Sequence, residues 1–127
     1  MRTFLIAILL LTACETRRPE NIQQVTAANK LTRECSRSRL SRWDLRASAA
    51  GKDCAVLLVQ TSIVLDDSLV EALHYGAGAY DVPEGGVQQF FRKHGFRGVT
   101  YRDSSQRVWS YGAVSQKEET EELPSCE

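Results

Sequence analysis

Val99-Thr100-Tyr101-Arg102-Asp103-Ser104-Ser105-Gln106-Arg107-Val108-Trp109-Ser110-Tyr111 is the stretch on which the fold turns. Folded about Ser104-Ser105-Gln106, it sets Asp103 opposite Arg107, Tyr101 opposite Trp109, Thr100 opposite Ser110 and Val99 opposite Tyr111. Opposite charges, two aromatics, two hydroxyls and an apolar pair then match at once, as stable cross-strand pairing requires. A shift of one residue brings Arg102 against Arg107 and loses the aromatic pair. The stretch therefore predicts a β-hairpin, and the segments before it must supply a layer for the hairpin to pack on.

Upstream, Val87, Phe90, Phe91 and His94 recur at helical spacing and form one apolar face. Gly95 suits a left-handed helix end, with Phe96 folding back over Phe91. His94 is expected to pack among these aromatics. Before it, Asp66-Asp67-Ser68 reads as a helix start, and Ser68-x-x-Glu71 has the spacing of a capping box. Leu69, Val70, Ala72 and Leu73 follow as the apolar face, and Gly76 as the stop. Ala55-Val56-Leu57-Leu58-Val59 is a continuous apolar run, expected to be a strand buried on both faces. Ile63-Val64-Leu65 resumes that run after Gln60-Thr61-Ser62.

Residues 22–50 have helical character, in two stripes that do not join: Ala28, Leu31, Cys35, then Leu40, Trp43, Ala47, Ala50. One broken helix or two short ones are expected, ending at Gly51. The chain thus reads as a helical N-terminal lead-in followed by strand, helix, helix, strand, strand. That order describes a small α+β domain, an antiparallel sheet with a C-terminal hairpin and two short helices on one face. With 127 residues there is room for one domain. The expected divisions are 1–13, 14–23 as a tether, 24–52 as a basic helical lead-in, 53–114 as the compact domain, and 115–127 as an acidic tail with little structure.

The start of the chain carries an address. Arg2 precedes an apolar run from Phe4 to Leu11, far shorter than the roughly 20 residues a membrane-spanning helix needs. A positive residue, a short apolar stretch and small residues describe a secretory signal peptide. Leu11-Thr12-Ala13-Cys14 moreover resembles the lipobox of bacterial lipoproteins. The resemblance covers residues 1–14. It implies that diacylglyceryl is attached to the Cys14 sulfur, that residues 1–13 are removed, and that the freed amino group is acylated. Each buried methylene contributes about 0.8 kcal/mol, so two or three chains hold a protein durably on a bilayer. Glu15 rather than aspartate follows the cysteine, which in a Gram-negative host implies the outer membrane, facing the periplasm.

Export would place Cys35, Cys54 and Cys126 in an oxidising compartment, where one bridge and one leftover thiol are expected. The pairing is open from sequence. Cys35–Cys54 closes the shortest loop and would staple a small core, whereas a Cys126 bridge would pin the tail. No spacing of cysteines and histidines resembles a zinc site, and no metal or cofactor is expected.

Sixteen basic and sixteen acidic residues cancel, which argues against a nucleic-acid partner. The balance is uneven along the chain. Lys30, Arg33, Arg37, Arg39, Arg42 and Arg46 are set against Glu34 and Asp44, while the tail carries Glu118, Glu119, Glu121, Glu122 and Glu127. The basic run is either a contact for anionic head groups or another acidic polymer, or a solvated face answered by that tail.

Chemistry is sparse. Glu71 and His74 stand at Glu-x-x-His spacing, half of a carboxylate-bridged metal motif whose other half is missing. With Asp81 they make the one candidate hydrolase site. Gly76-x-Gly78 and Gly85-Gly86 read as turns and helix ends rather than phosphate cradles. Tyr75, Tyr80, Tyr101, Trp109 and Tyr111 crowd the second half, and Tyr80, Tyr101 and Trp109 are the candidates for gripping a peptide or sugar chain, with core packing as the alternative. The expected function is that of a lipid-anchored, non-enzymatic envelope protein that binds another envelope protein or a cell-wall polymer. A small cell-wall hydrolase is one alternative. An inhibitor or immunity-type lipoprotein presenting the loop Gly76–Gly86 is another.

Overall fold

The computed structural model describes residues 19–78, 84–120 and 126. The signal peptide, Cys14 and Glu15 lie outside the described residues, as do Tyr80 and Asp81 and the middle of the Gly76–Gly86 loop.

The hairpin is in the expected register. Strand β3 (Gly98–Arg102) and strand β4 (Val108–Gly112) pair antiparallel, with Tyr101 opposite Trp109, Thr100 opposite Ser110 and Val99 opposite Tyr111. The two hydroxyls meet, Thr100 Oγ1 lying 3.0 Å from Ser110 Oγ. Asp103 and Arg107 close the loop differently from a charge pair. The Asp103 carboxylate accepts from the backbone N–H groups of Ser105, Arg107 and Leu65 and from the Ser105 hydroxyl. It is a buried pin joining the hairpin turn to the loop that follows β2.

Strand β2 (Val56–Gln60) is the buried apolar run. Helix α2 (Asp67–Tyr75) follows it and ends at Gly76 in a left-handed conformation. Its cap lies upstream of the expected one: Asp66 accepts from the Leu69 N–H at 2.8 Å. A capping box does occur elsewhere, at Ser115-x-x-Glu118, where each side chain takes the other residue's backbone N–H at 3.1 Å. Helix α3 (Gly86–Lys93) buries Val87, Phe90 and Phe91. It closes with Phe96 N–H on Phe91 carbonyl and Gly95 N–H on Arg92 carbonyl, the paired bonds of a Schellman motif. Gly86 cannot be larger, because a Cβ there would stand 2.5 Å from the His74 carbonyl oxygen. The glycines of this region serve helix ends, as their spacing indicates.

Two expectations are corrected. The sheet is mixed: β1 (Arg46–Ala50), β2, β3 and β4 lie side by side in that order, with β2 and β3 parallel. Helices α2 and α3 form the crossover that parallel neighbours require. Residues 46–50, expected to end the helical lead-in, form strand β1 (Arg46–Ala50), antiparallel to β2. The lead-in is therefore helix α1 (Pro19–Ser36), a tight helical turn over Arg39–Trp43 and then this strand. Helix α1 begins inside the segment expected to be tether, with Pro19 in the first turn, where its missing N–H costs nothing.

The main core lies between one sheet face and helices α1–α3. Leu57, Val59, Val99 and Tyr101 meet Leu31, Cys35, Val70, Leu73, Val87 and Phe91 there. The opposite sheet face carries a second cluster of Ala50, Val56 and Leu58, with Val114 against it. The tail, expected to have little structure, forms helix α4 (Gln116–Thr120) beside this face. Glu118 lies close enough that a Cβ on Gly51 would strike its Oε2, and it accepts from Arg97 Nη2 at 2.6 Å. The hydrogen bond from Arg97, helped by Ser115, holds its carboxyl well below the usual range, at about 2. So Glu118 answers Arg97 rather than the basic lead-in, while Glu121, Glu122 and Glu127 lie outside the described residues.

The disulfide is Cys54–Cys126, the bridge that pins the tail, and not Cys35–Cys54, which would have closed the shortest loop. Cys35 is free and fully buried in the main core, where burial pushes its thiol to about 12. A thiol so disfavoured as thiolate is an inert packing group.

Candidate functional site

A sheet has two edges, and backbone groups on an edge strand alternate between the neighbour and the outside. At β1 the outside is filled. The Thr32 hydroxyl of α1 accepts from Ala47 N–H at 2.9 Å and lies 3.2 Å from the Ala47 carbonyl oxygen. Two residues on, the Ala49 carbonyl accepts from Cys126 N–H at 3.1 Å. At β4 the arrangement differs. The backbone bonds Asp103 N–H to Arg107 carbonyl and Ala113 N–H to Arg97 carbonyl set the alternation. It turns Trp109 and Tyr111 toward β3 and points the N–H and C=O of Val108 and Ser110 outward. Among the described residues no strand lies beyond β4.

The side chains beside this edge form an aromatic surface. Trp109 donates its indole N–H to Asp67 at 2.8 Å, and the Arg107 guanidinium lies over its ring, 4.8 Å from the centroid. The Tyr111 ring stacks on His74 at 3.8 Å. Tyr75, 54% exposed, sets its edge against both rings. Burial raises the Tyr111 hydroxyl, and Tyr75, Glu71 and Asp67 push the same way. The surface therefore combines three aromatics, one arginine and two carboxylates around backbone that has no strand partner among the described residues.

Tyr101 belongs beneath it. The ring is fully buried, its hydroxyl 2.8 Å from His74 Nδ1. A residue with no exposed surface cannot touch a partner, so the expected role of Tyr101 in recognition gives way to core packing. Burial holds Tyr101 well above its ordinary range, so it keeps its proton. Burial, with Arg92 nearby, lowers His74 to about 4 and leaves it neutral. The hydrogen-bond assignment that satisfies both groups has the Tyr101 hydroxyl donating to Nδ1. Trp109 stays half-exposed and remains a candidate.

The Glu-x-x-His pair does not assemble. His74 points into the core while Glu71 is exposed. Among the described residues no group of histidine, cysteine or carboxylate side chains could hold a metal. His94 packs against Phe90, ring centroids 4.4 Å apart, as its spacing indicates. A groove of about 550 Å³ opens where parallel β2 and β3 end, lined by Gln60, Arg102, Asp103 and Glu119 among others. The carboxyl ends of parallel strands are a common site for ligands. Here Asp103 is already consumed by the hairpin turn.

Arg107 was not among the sequence candidates for binding, and Tyr75 and Tyr111 stood only in the wider aromatic group from which Tyr80, Tyr101 and Trp109 were singled out. Alternation along β4 does put residues 107, 109 and 111 on one side of the strand, and that was the available signal. Comparison with protein-family models, curated proteins and solved structures finds no match. Among the described residues no helix is long and apolar enough to cross a membrane.

Proposed function

We propose that the chain is a lipid-anchored protein of the bacterial envelope, held by acyl chains on Cys14 at the outer membrane and facing the periplasm. Its domain acts as a non-enzymatic module that recognises another envelope protein by adding an extended segment of it to β4. The observation that carries the recognition reading is the contrast at the sheet edges: outward backbone at Val108 and Ser110, flanked by Tyr75, Trp109 and Arg107. Strand addition draws affinity from main-chain hydrogen bonds and specificity from side chains beside them. Aromatic and arginine side chains are the types that dominate binding energy at interfaces. Support for the anchor is the spacing Leu11-Thr12-Ala13-Cys14 behind a short apolar run.

A photo-crosslinking residue at Ser110, in the acylated protein in its own envelope, tests the recognition. One protein partner is expected, with its yield reduced at least tenfold by Val108→Pro, which blocks the edge. Equal yield in that variant, or crosslinks to glycan alone, rejects strand addition. Metabolic labelling with a palmitate analogue tests the anchor separately: wild type should label, Cys14→Ala should not, and equal labelling rejects it.

A further inference from the structure

Helix α1 buries Gln24, Ala27, Ala28, Leu31 and Cys35 and leaves the opposite stripe to solvent. That stripe runs Ile22, Thr26, Lys30, Arg33 and Arg37, all exposed at helical spacing. It continues through Arg39 and Arg42 on the following turn, both exposed; Arg46, which alternates with Ala47 and Ala49, belongs to the other sheet face. Glu34 stands among the five cations Lys30, Arg33, Arg37, Arg39 and Arg42, and Glu84 shares a groove with Lys30. Lys30–Glu34 at 4.0 Å and Arg46–Asp44 at 3.8 Å are exposed, surface pairs of the weak kind. Glu118 is engaged by Arg97 on another face. Among the described residues the stripe therefore keeps a net positive charge.

We infer that this stripe docks on anionic phospholipid head groups of the membrane that holds the Cys14 anchor. The inference rests on the lipid-anchor reading and adds an orientation to it. Four residues lie between Cys14 and Pro19, five Cα–Cα steps with a reach of at most about 18 Å. The start of the helix is thereby kept within about two Debye lengths, of about 8 Å each, of the surface. A tether this short makes docking an intramolecular event at high effective concentration. Ile22, 60% exposed at the anchored end of the same stripe, is positioned to enter the apolar boundary while the cations follow it. Helix α1 packs along β1, and β4 lies three strands away, about 14 Å. Docking by α1 turns the β4 edge away from the bilayer.

The test uses the acylated protein on vesicles with a head-group dye, in a Trp109→Phe background that leaves Trp43 as the donor beside the stripe. Energy transfer from Trp43 should be strong on vesicles with 30% phosphatidylglycerol and weak on pure phosphatidylcholine. Each basic residue near an anionic surface contributes about a fivefold factor. Neutralising Arg33, Arg37, Arg39 and Arg42 to glutamine should therefore weaken docking by roughly several hundredfold. The unfolding midpoint of that variant should stay unchanged, since all four side chains are exposed. Transfer equal on both vesicles, or unaffected by the four substitutions, overturns the inference. So does a soluble anionic polysaccharide that binds the stripe while vesicles do not. Flotation separates the two readings: binding to phosphatidylglycerol vesicles alone keeps the docking and rejects the anchor. Flotation with both vesicles, without charge-dependent transfer, keeps the anchor and rejects the docking.

Discussion

Strands β1 and β4 are both five residues long and both lie at a sheet edge, yet their outer backbones meet different fates. Beside β1, a threonine hydroxyl and one backbone N–H from the tail occupy Ala47 and Ala49. Beside β4, Val108 and Ser110 face outward among half-exposed aromatics. The difference teaches that sealing an edge takes no further strand. One side chain from a packed helix and one disulfide-held residue suffice, and the side chains of Ala47 and Ala49 are small enough to let the helix approach. An edge left open in the same chain is then a feature that calls for a partner.

The largest test removes the seal. Cys126→Ala opens a loop closed across 72 residues, and the loop-closure relation predicts a loss of about 4 kcal/mol, read as a lower urea midpoint. A loss below about 1 kcal/mol would mean the tail seals β1 without its staple. Next comes acid. His74 sits under the open edge with its pKa lowered to about 4, so the folded state resists protonation that the unfolded chain accepts near 6.5. Stability should accordingly fall as pH drops from about 6.5 to about 4, by about 3 kcal/mol in total. Glu118, lowered to about 2, acts at the other sheet face, and its contribution disappears only as pH falls from about 4.5 toward 2. The open edge should therefore loosen before the tail does. Hydrogen exchange at pH 5 reads the order, and the His74→Phe/Tyr101→Phe double variant should flatten the upper window. A smaller effect is expected for Thr32→Val, which orphans the Ala47 N–H: about 2 kcal/mol, with faster exchange confined to β1. Smallest is Val108→Pro, less than about 1 kcal/mol, because the lost N–H faces outward. A large loss there would show that β4 is not a free edge.

The hairpin was legible because its pairing is local and chemically redundant: four cross-strand matches specify one register. Helix α3 was legible because its aromatic face and its glycine stop agree. Strand β1 was not. Arg46-Ala47-Ser48-Ala49-Ala50 has the composition of a helix, and its bonds to β2, Thr32 and Cys126, all distant in the sequence, make extended backbone preferable. The parallel pairing of β2 and β3 was hidden for a similar reason, since strand, helix, helix, strand is compatible with either direction. Of the recognition candidates, Trp109 keeps exposed surface and Tyr101 does not. Aromatic composition reports where packing energy lies; Tyr101 and Trp109 are cross-strand partners on one sheet face, and their places on inner β3 and edge β4 separate the buried ring from the half-exposed one.

The position of Cys35 has a consequence for how the molecule is made. Cys54 finds its native partner 72 residues downstream, while Cys35 stands much nearer in the sequence. A chain oxidised as it emerges thus meets the wrong thiol first. Before α1 packs, Cys35 is exposed and reactive; once packed, it is buried with its proton held to about 12. Docking of α1 onto the sheet is therefore also what withdraws the competing thiol. The yield of correctly bridged protein becomes a race between helix docking and oxidation, and Cys35→Ser should remove that race without touching the finished bond.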